Sequence, residues 1–181
     1  MQKLSKWILK ITGWKAFVTV GEPEKSIICV APHTSNWDFP IGKLSYLAMG
    51  RKASFLIKKS WFVFPLNFFF SALGGVPVDR SKRTSVTQQM VDEFNNRKHF
   101  HLAITPEGTR SLVDKWKMGF YHIANQANVP IQLAYIDYEK KELAIKEIFY
   151  PTGDEEADLA KIQDYYKDIH AKFPGKFNLS R

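Results

Sequence analysis

The chain contains a single cysteine, Cys29. That excludes an internal disulfide framework and a cysteine-based zinc site, and it fits a reducing compartment. No internal repeat, low-complexity tract or interdomain linker interrupts the sequence, so repeat arrays and long disordered arms are excluded. The N-terminus has lysines but no apolar core followed by a small-residue cleavage site, so no secretory signal is expected. Long apolar runs are also scarce. The most hydrophobic stretch, residues 61–78, approaches the length of a membrane span. Pro65, Asn67, Ser71 and the Gly74-Gly75 pair break it, and a broken backbone in lipid leaves polar groups unpaired. A helix of about three turns ending at Gly74, then a short strand, is the expected reading.

Acidic residues are in deficit. Asp and Glu number 18 against 26 Lys and Arg, for a net charge of +8. Hydrophobic residues make up 45% and aromatics 14% of the chain. A basic, aromatic-rich protein has three partner classes: nucleic acid, an anionic membrane, or anionic small substrates. At 181 residues it suits one domain, 1–181, able to bury about 70% of its unfolded surface.

Short strand-like runs lie at 16–20, 27–31, 54–57, 76–78, 100–104, 131–136 and 143–148. Helical patterns lie at 38–49, 84–97, 118–128 and 155–173. Capping-box spacings occur at Ser85–Gln88 and Thr152–Glu155. Alternating strands and helices predict an α/β fold with a mostly parallel sheet of about seven strands. The last two strands, joined by a tight turn, predict a hairpin and so a mixed sheet. Residues 2–12 read as an amphipathic helix ended by Gly13, with Leu4, Trp7, Ile8 and Ile11 in one stripe beside Lys3, Lys6 and Lys10. Such a helix suits an anionic lipid surface, each lysine adding about 1 kcal/mol, or packs on the domain's own core. The run Phe68-Phe69-Phe70 covers three sides of a helix and fits core, acyl pocket or membrane-facing surface.

Three constellations carry chemistry. The strand 27–31 runs into Pro32-His33-Thr34-Ser35-Asn36-Trp37-Asp38, at the kind of strand end where α/β sheets place ligands. Residues five apart on one helix do not meet, so His33 belongs on the loop, with Asp38 in the first turn reaching back to the imidazole. A carboxylate on one ring nitrogen makes the other a candidate general base. An aspartate helix cap beside an incidental loop histidine is the competing reading. The second constellation, Gly74 to Arg80, and the third, Thr105-Pro106-Glu107-Gly108-Thr109-Arg110-Ser111, each place an arginine just past a strand. Arg80 and Arg110 suit a phosphate. Gly108 allows close backbone approach and Thr109 can donate. Glu107 is expected to orient Arg110 or bond a substrate hydroxyl. Lys58, Lys59 and Lys117 are further cationic candidates, and Lys59 with Lys115 is expected to be solvated. Cys29 is expected to be a buried, inert thiol. His99 and His101 share a strand face but lack a partner set, so no metal is expected.

These blocks resemble the glycerolipid acyltransferase superfamily typified by bacterial lysophosphatidic-acid acyltransferases. HTSNWD, GGVPVDR, PEGTRS and VPIQLAY appear in the family's order over about residues 26–136. The resemblance implies His33 as general base and Asp38 as its orienting carboxylate. It implies Lys58, Arg80, Glu107, Gly108, Thr109 and Arg110 as acceptor-phosphate and motif residues. The chain departs from the family at Leu133, where a second proline is common, and it is short for the family, which favours the small membrane-associated branch.

The implied reaction moves a fatty acyl group from acyl-CoA or acyl-ACP to a lysolipid or glycerophosphate hydroxyl, with no metal or bound cofactor. The implied partners are the acyl thioester donor, with acyl carrier protein as a candidate, the lysolipid acceptor and an anionic membrane surface, not nucleic acid. The implied location is the cytoplasmic face of the cell membrane, peripheral or monotopic. A lyso-aminolipid acceptor is the alternative within this chemistry. A basic membrane or nucleic-acid binding module without catalysis is the alternative outside it.

Overall fold

The computed structural model describes residues 1–79, 81 and 85–179. Seven strands form one sheet: β1 (Lys15–Val18), β2 (Lys25–Ala31), β3 (Ser54–Lys58), β4 (Gly75–Val78), β5 (Phe100–Ile104), β6 (Ile131–Asp137) and β7 (Glu142–Phe149). The spatial order is β1-β7-β6-β2-β5-β3-β4. All pairings are parallel except the β6–β7 hairpin, as the tight turn implied. Six α-helices join them: α1 (Gln2–Thr12), α2 (Asp38–Ala48), α3 (Leu66–Ala72), α4 (Val86–Asn96), α5 (Gly119–Gln126) and α6 (Glu155–Tyr165). The fold is therefore the expected single-domain, mostly parallel α/β sheet with an N-terminal helix. No helix among the described residues is long and apolar enough to cross a membrane.

The order of crossovers sorts the helices. From β2 to β3 and from β3 to β4 the chain moves toward one edge, and right-handed crossovers put α2 and α3 on one face. From β4 to β5 and from β5 to β6 it moves back, which puts α4 and α5 on the other. Side-chain alternation along β2 agrees. Ile27, Cys29 and Ala31 pack in the main core with Met90, Phe94, Phe120, Ile162 and Tyr166. Ile28 points the opposite way, to a small cluster with Tyr46, Ala134 and Ile145. One face is thus densely filled by α4, α5 and α6. The other is thinly covered by α2, with α1 beside it: Gln2 Nε2 donates to the Ala48 carbonyl over 3.2 Å. Lys43 ties α2 to the end of α3, donating to the carbonyls of Leu73 (2.5 Å) and Ala53 (3.3 Å).

Local physics explains where elements depart from their expected bounds. Ser85 Oγ accepts the Gln88 N–H over 3.1 Å, but the Gln88 side chain donates to Asp92 instead of closing the box. The expected Thr152–Glu155 box is replaced by Asp154, whose carboxylate accepts the Ala157 N–H. Thr152 is diverted to Asp158, donating through both its N–H (2.6 Å) and its hydroxyl (2.8 Å). The helix expected over 155–173 ends at Tyr165. Tyr166 is anchored by a 2.8 Å hydrogen bond to the Cys29 carbonyl, and the chain then turns until the Phe173 N–H meets Thr34 Oγ1 at 3.3 Å. The helix before Gly74 has seven residues rather than three turns, because a 3-10 turn at Lys59–Trp61 and Pro65 take up the start of the run. Gly74 has φ 88°, and a Cβ there would lie 2.9 Å from the Ala53 carbonyl oxygen. Cys29 is fully buried, and burial pushes its thiol well above the ordinary range, as expected of an inert core residue.

Candidate functional site

The parallel strands share a carboxyl edge, and the expected motif residues gather there. Ala31 ends β2, and the loop Pro32–Trp37 carries His33 to the start of α2, whose first residue is Asp38. Asp38 Oδ2 accepts the His33 Nδ1–H over 3.0 Å. The same oxygen accepts the backbone N–H groups of Thr34 and Ser35, both at 2.9 Å. Tyr138, just past β6, donates its hydroxyl to Asp38 Oδ1 over 2.5 Å. Asp38 is buried, so these four donors compensate a charge that burial alone would disfavour. The carboxylate therefore does more than cap a helix: it holds the loop and the imidazole together. His33 Nδ1 is engaged, which leaves Nε2 as the reactive nitrogen. Ser35 is buried, and its hydroxyl accepts the Trp37 N–H over 3.2 Å, a turn role rather than a nucleophile's.

The third constellation folds differently from its expectation in one respect. Glu107 does not reach Arg110. Its Oε1 accepts the backbone N–H of His33 over 2.8 Å, and its Oε2 is buried with no hydrogen-bond partner. Gly108, at φ 65°, reverses the chain between the two residues, so Glu107 turns inward and Arg110 outward. Burial pushes the Glu107 carboxyl up to about 7, partly opposed by the His33 N–H. Arg110 Nη1 donates instead to Asn36 Oδ1. Asn36 lies inside the first motif, yet sequence alone gave it no role. Gly108 is close to Lys117: a Cβ would lie 2.9 Å from that lysine's Cδ.

A cavity of about 610 Å³ opens at this edge and runs between α2 and the sheet. Its polar mouth has His33, Asn36, Asp38, Thr105, Gly108 and Arg110. Its interior is apolar, with Val30, Phe55, Ile57, Ile104, Ile136 and Leu143 among the lining residues. Small residues keep it hollow: Gly42, Ala53, Ala103 and Ala134 line it too. Such a space matches an amphiphile with a polar or anionic end and a hydrocarbon body.

Of the expected site residues, His33, Asp38, Gly108 and Arg110 come together around the cavity. Glu107 stands behind the loop, supporting His33. Thr109 is exposed, its hydroxyl accepting the Ser111 N–H over 3.3 Å. Lys58 is exposed at the end of β3, paired with Val78 in register, and is not part of the cavity lining. Arg80 lies outside the described residues. Lys59 forms an ordinary surface ion pair with Asp79 at 3.2 Å. His101 is a structural residue, its Nδ1 sharing a hydrogen bond with Ser26 Oγ at 2.8 Å. Among the described residues, no cluster of His, Cys, Asp and Glu is arranged to hold a metal ion.

The carboxyl-edge histidine–aspartate pair and its cavity lie within a region, residues 11–136, that matches the family model described as Acyltransferase. The match covers more than half of the chain, and the protein belongs to that acyltransferase family. Its fold is also that of a solved relative, the 1-acyl-sn-glycerophosphate (LPA) acyltransferase PlsC from Thermotoga maritima. The two superpose with a TM-score of 0.60 at 22% identity, over 92% of this chain and 75% of the other. Comparison with curated proteins gives no match.

Proposed function

We propose that the protein transfers a fatty acyl group from an acyl thioester, acyl-CoA or acyl-ACP, to the hydroxyl of a glycerophosphate-type lysolipid. The observation that carries this reading is a histidine–aspartate pair at the polar mouth of an apolar cavity. Asp38 fixes the ring so that His33 Nε2 is the proton acceptor. The acceptor hydroxyl gives its proton to Nε2 as its oxygen attacks the thioester carbonyl. The tetrahedral intermediate then expels the thiolate, which takes the proton from the imidazolium. Every bond is balanced, and no covalent acyl-enzyme is needed. Arg110, held by Asn36, supplies a planar cation at the mouth for the acceptor's phosphate. The cavity interior holds hydrocarbon.

We place this reaction at the cytoplasmic face of the cell membrane, as a peripheral or monotopic protein. Support comes from α1, whose buried residues are Ser5 and Leu9, while Leu4, Trp7 and Ile11 of its apolar stripe are exposed beside three lysines.

The test is a panel of lysolipid acceptors, phosphate-bearing and amino-bearing, offered with labelled acyl thioesters. Transfer to the phosphate-bearing members is the expected result, and transfer only to lyso-aminolipids would reassign the acceptor. His33→Ala is expected to abolish transfer, a loss of at least about 10²-fold, with the fold intact by circular dichroism. Near wild-type turnover in that variant would sink the mechanism.

A further inference from the structure

The acidic residues avoid one part of this protein. Residues 1–20 and 39–78 contain nine of the 26 basic residues and none of the 18 acidic ones. The rest of the chain carries 17 basic against 18 acidic residues, so it is close to neutral. The whole excess of positive charge therefore belongs to these two segments. They make α1, α3 and all of α2 but its first residue, Asp38, the helices on the thinly covered face of the sheet.

The same segments hold most of the exposed large apolar side chains. Among the described residues, 11 of the 15 such side chains lie in them. The densest group is the segment between β3 and β4. Phe70 packs against the rings of Trp61 and Phe62, at 6.3 and 5.9 Å, and pins the segment into a compact unit. Lys43 fixes its end through the Leu73 carbonyl. With the inner aromatics so used, Phe64, Phe68 and Phe69 stand 82%, 66% and 59% exposed, and Trp61 stands 59% exposed. Phe64 and Phe68 meet edge to face at 6.1 Å and Phe69 touches Phe70 at 5.7 Å, but most of each ring still faces water, where its apolar area gains nothing from burial. The cavity lies on this same face, with Phe39 and Phe55 in edge contact at 4.8 Å along its wall.

We propose that this acid-poor face is a docking surface for an anionic lipid bilayer, and that Trp61–Leu73 is its main inserting element, with α1 lying flat beside it. Exposed aromatics with a tryptophan at one end of the run and Lys58 and Lys59 just before it match the chemistry of an interface between headgroups and acyl chains. The consequence is that the cavity faces the bilayer, so a lysolipid reaches His33 from the membrane without crossing water. This rests on the acyl-transfer reading for its purpose, although the docking itself can be measured without any turnover.

The experiment uses the full chain with phosphatidylcholine vesicles prepared with and without phosphatidylglycerol. Three proteins are compared: wild type, Phe64→Ser/Phe68→Ser, and Trp7→Ser/Ile11→Ser. Thermal unfolding checks that the exposed changes leave the fold intact. Wild type is expected to float with the anionic vesicles. The α3-segment variant is expected to lose at least tenfold in partition, equivalent to about 1.4 kcal/mol. The same variant should lose turnover on vesicle-borne lysolipid but keep it, within about twofold, on a short-chain water-soluble acceptor. Unchanged partition of this variant would overturn the proposal, as would loss confined to the α1 variant. So would vesicle binding that persists while the phenylalanine changes abolish binding to an acidic carrier protein or dissociate a dimer. Lost partition in a protein that acylates neither acceptor would keep the docking and remove the acyl-transfer reading. Turnover with unchanged partition would do the reverse.

Discussion

Tyr138 donates its hydroxyl to Asp38 Oδ1 over 2.5 Å, while Asp38 Oδ2 receives His33 Nδ1–H at 3.0 Å. The imidazole, the carboxylate and the phenol form one chain of hydrogen bonds across 105 residues of sequence, from position 33 to position 138. Tyr138 lies beyond the region that matches the acyltransferase family. Burial first, and then the neighbouring carboxylate, push its phenol well above the ordinary range, so it remains a donor.

Tyr138→Phe removes that donor and nothing else of size. A hydrogen bond to a charged group contributes about 1.5–3 kcal/mol. We expect kcat to fall about tenfold or more, with KM for the thioester unchanged. The Nδ1–H resonance of His33 should shift in the variant, because its partner carboxylate is re-polarised. Full kcat with an unmoved resonance would show that the phenol is only structural.

Glu107 should write itself into the pH dependence of stability. Its folded value of about 7 exceeds the ordinary 4.5, foremost because of burial. The native state therefore holds a proton that the unfolded chain releases. The resulting stabilisation is complete below pH 4.5 and is lost as pH rises through about 7. The span amounts to about 3 kcal/mol. Glu107→Gln keeps an acceptor for the His33 N–H and removes the titration. Melting curves of the two proteins from pH 4 to 8 should diverge, wild type losing ground as pH rises. Parallel curves would refute the assignment.

Gly42 sits inside α2 and lines the cavity, yet a Cβ built there meets nothing within 4 Å. Gly42→Ala should stabilise the helix by about 1 kcal/mol, raising the melting temperature by about 2–4 °C. A larger side chain has open space to enter. Gly42→Leu is expected to lower turnover of long acyl chains more than that of short ones. A chain-length series in which both fall equally would place the hydrocarbon elsewhere.

Arg110→Ala tests the mouth of the cavity. Loss of charge-assisted hydrogen bonds to phosphate should raise KM for a phosphate-bearing acceptor by about 10–100-fold. An uncharged alcohol of equal chain length should be affected far less. Asn36→Ala, which releases the guanidinium, is expected to produce a weaker version of the same pattern.

The elements were legible where one residue type dominates locally. Phe100–Ile104 is legible because charge and a Pro-containing loop flank a short run in which His101 is the one polar residue. The His33–Asp38 pair is legible from the spacing only as one of two geometries, the other being a helix cap beside an unrelated histidine, and the 3.0 Å contact decides between them. Tyr138 was not, since only the placement of β6 beside β2 brings position 138 to that loop. The contact of Glu107 with the His33 N–H was not legible, because its direction depends on the positive φ of Gly108, a torsion that the neighbouring charges do not reveal. The early end of α6 was hidden because Leu159, Ile162, Tyr166 and Ile169 all pack on the core, as a continuous helix would also require.

The unequal filling of the two faces has an evolutionary consequence. Cohesion of the domain resides with Phe94, Phe120, Ile162 and Tyr166, on the side away from the cavity. Gly42, Ala53, Ala103 and Ala134 shape the hollow, and of these Ala103 and Ala134 also belong to paired strands of the sheet. Mutational drift at Gly42 and Ala53 can retune what fits the cavity while the main core stays untouched. A protein divided in this way can diversify its substrates at small thermodynamic risk, and its tolerance map should be as lopsided as its packing.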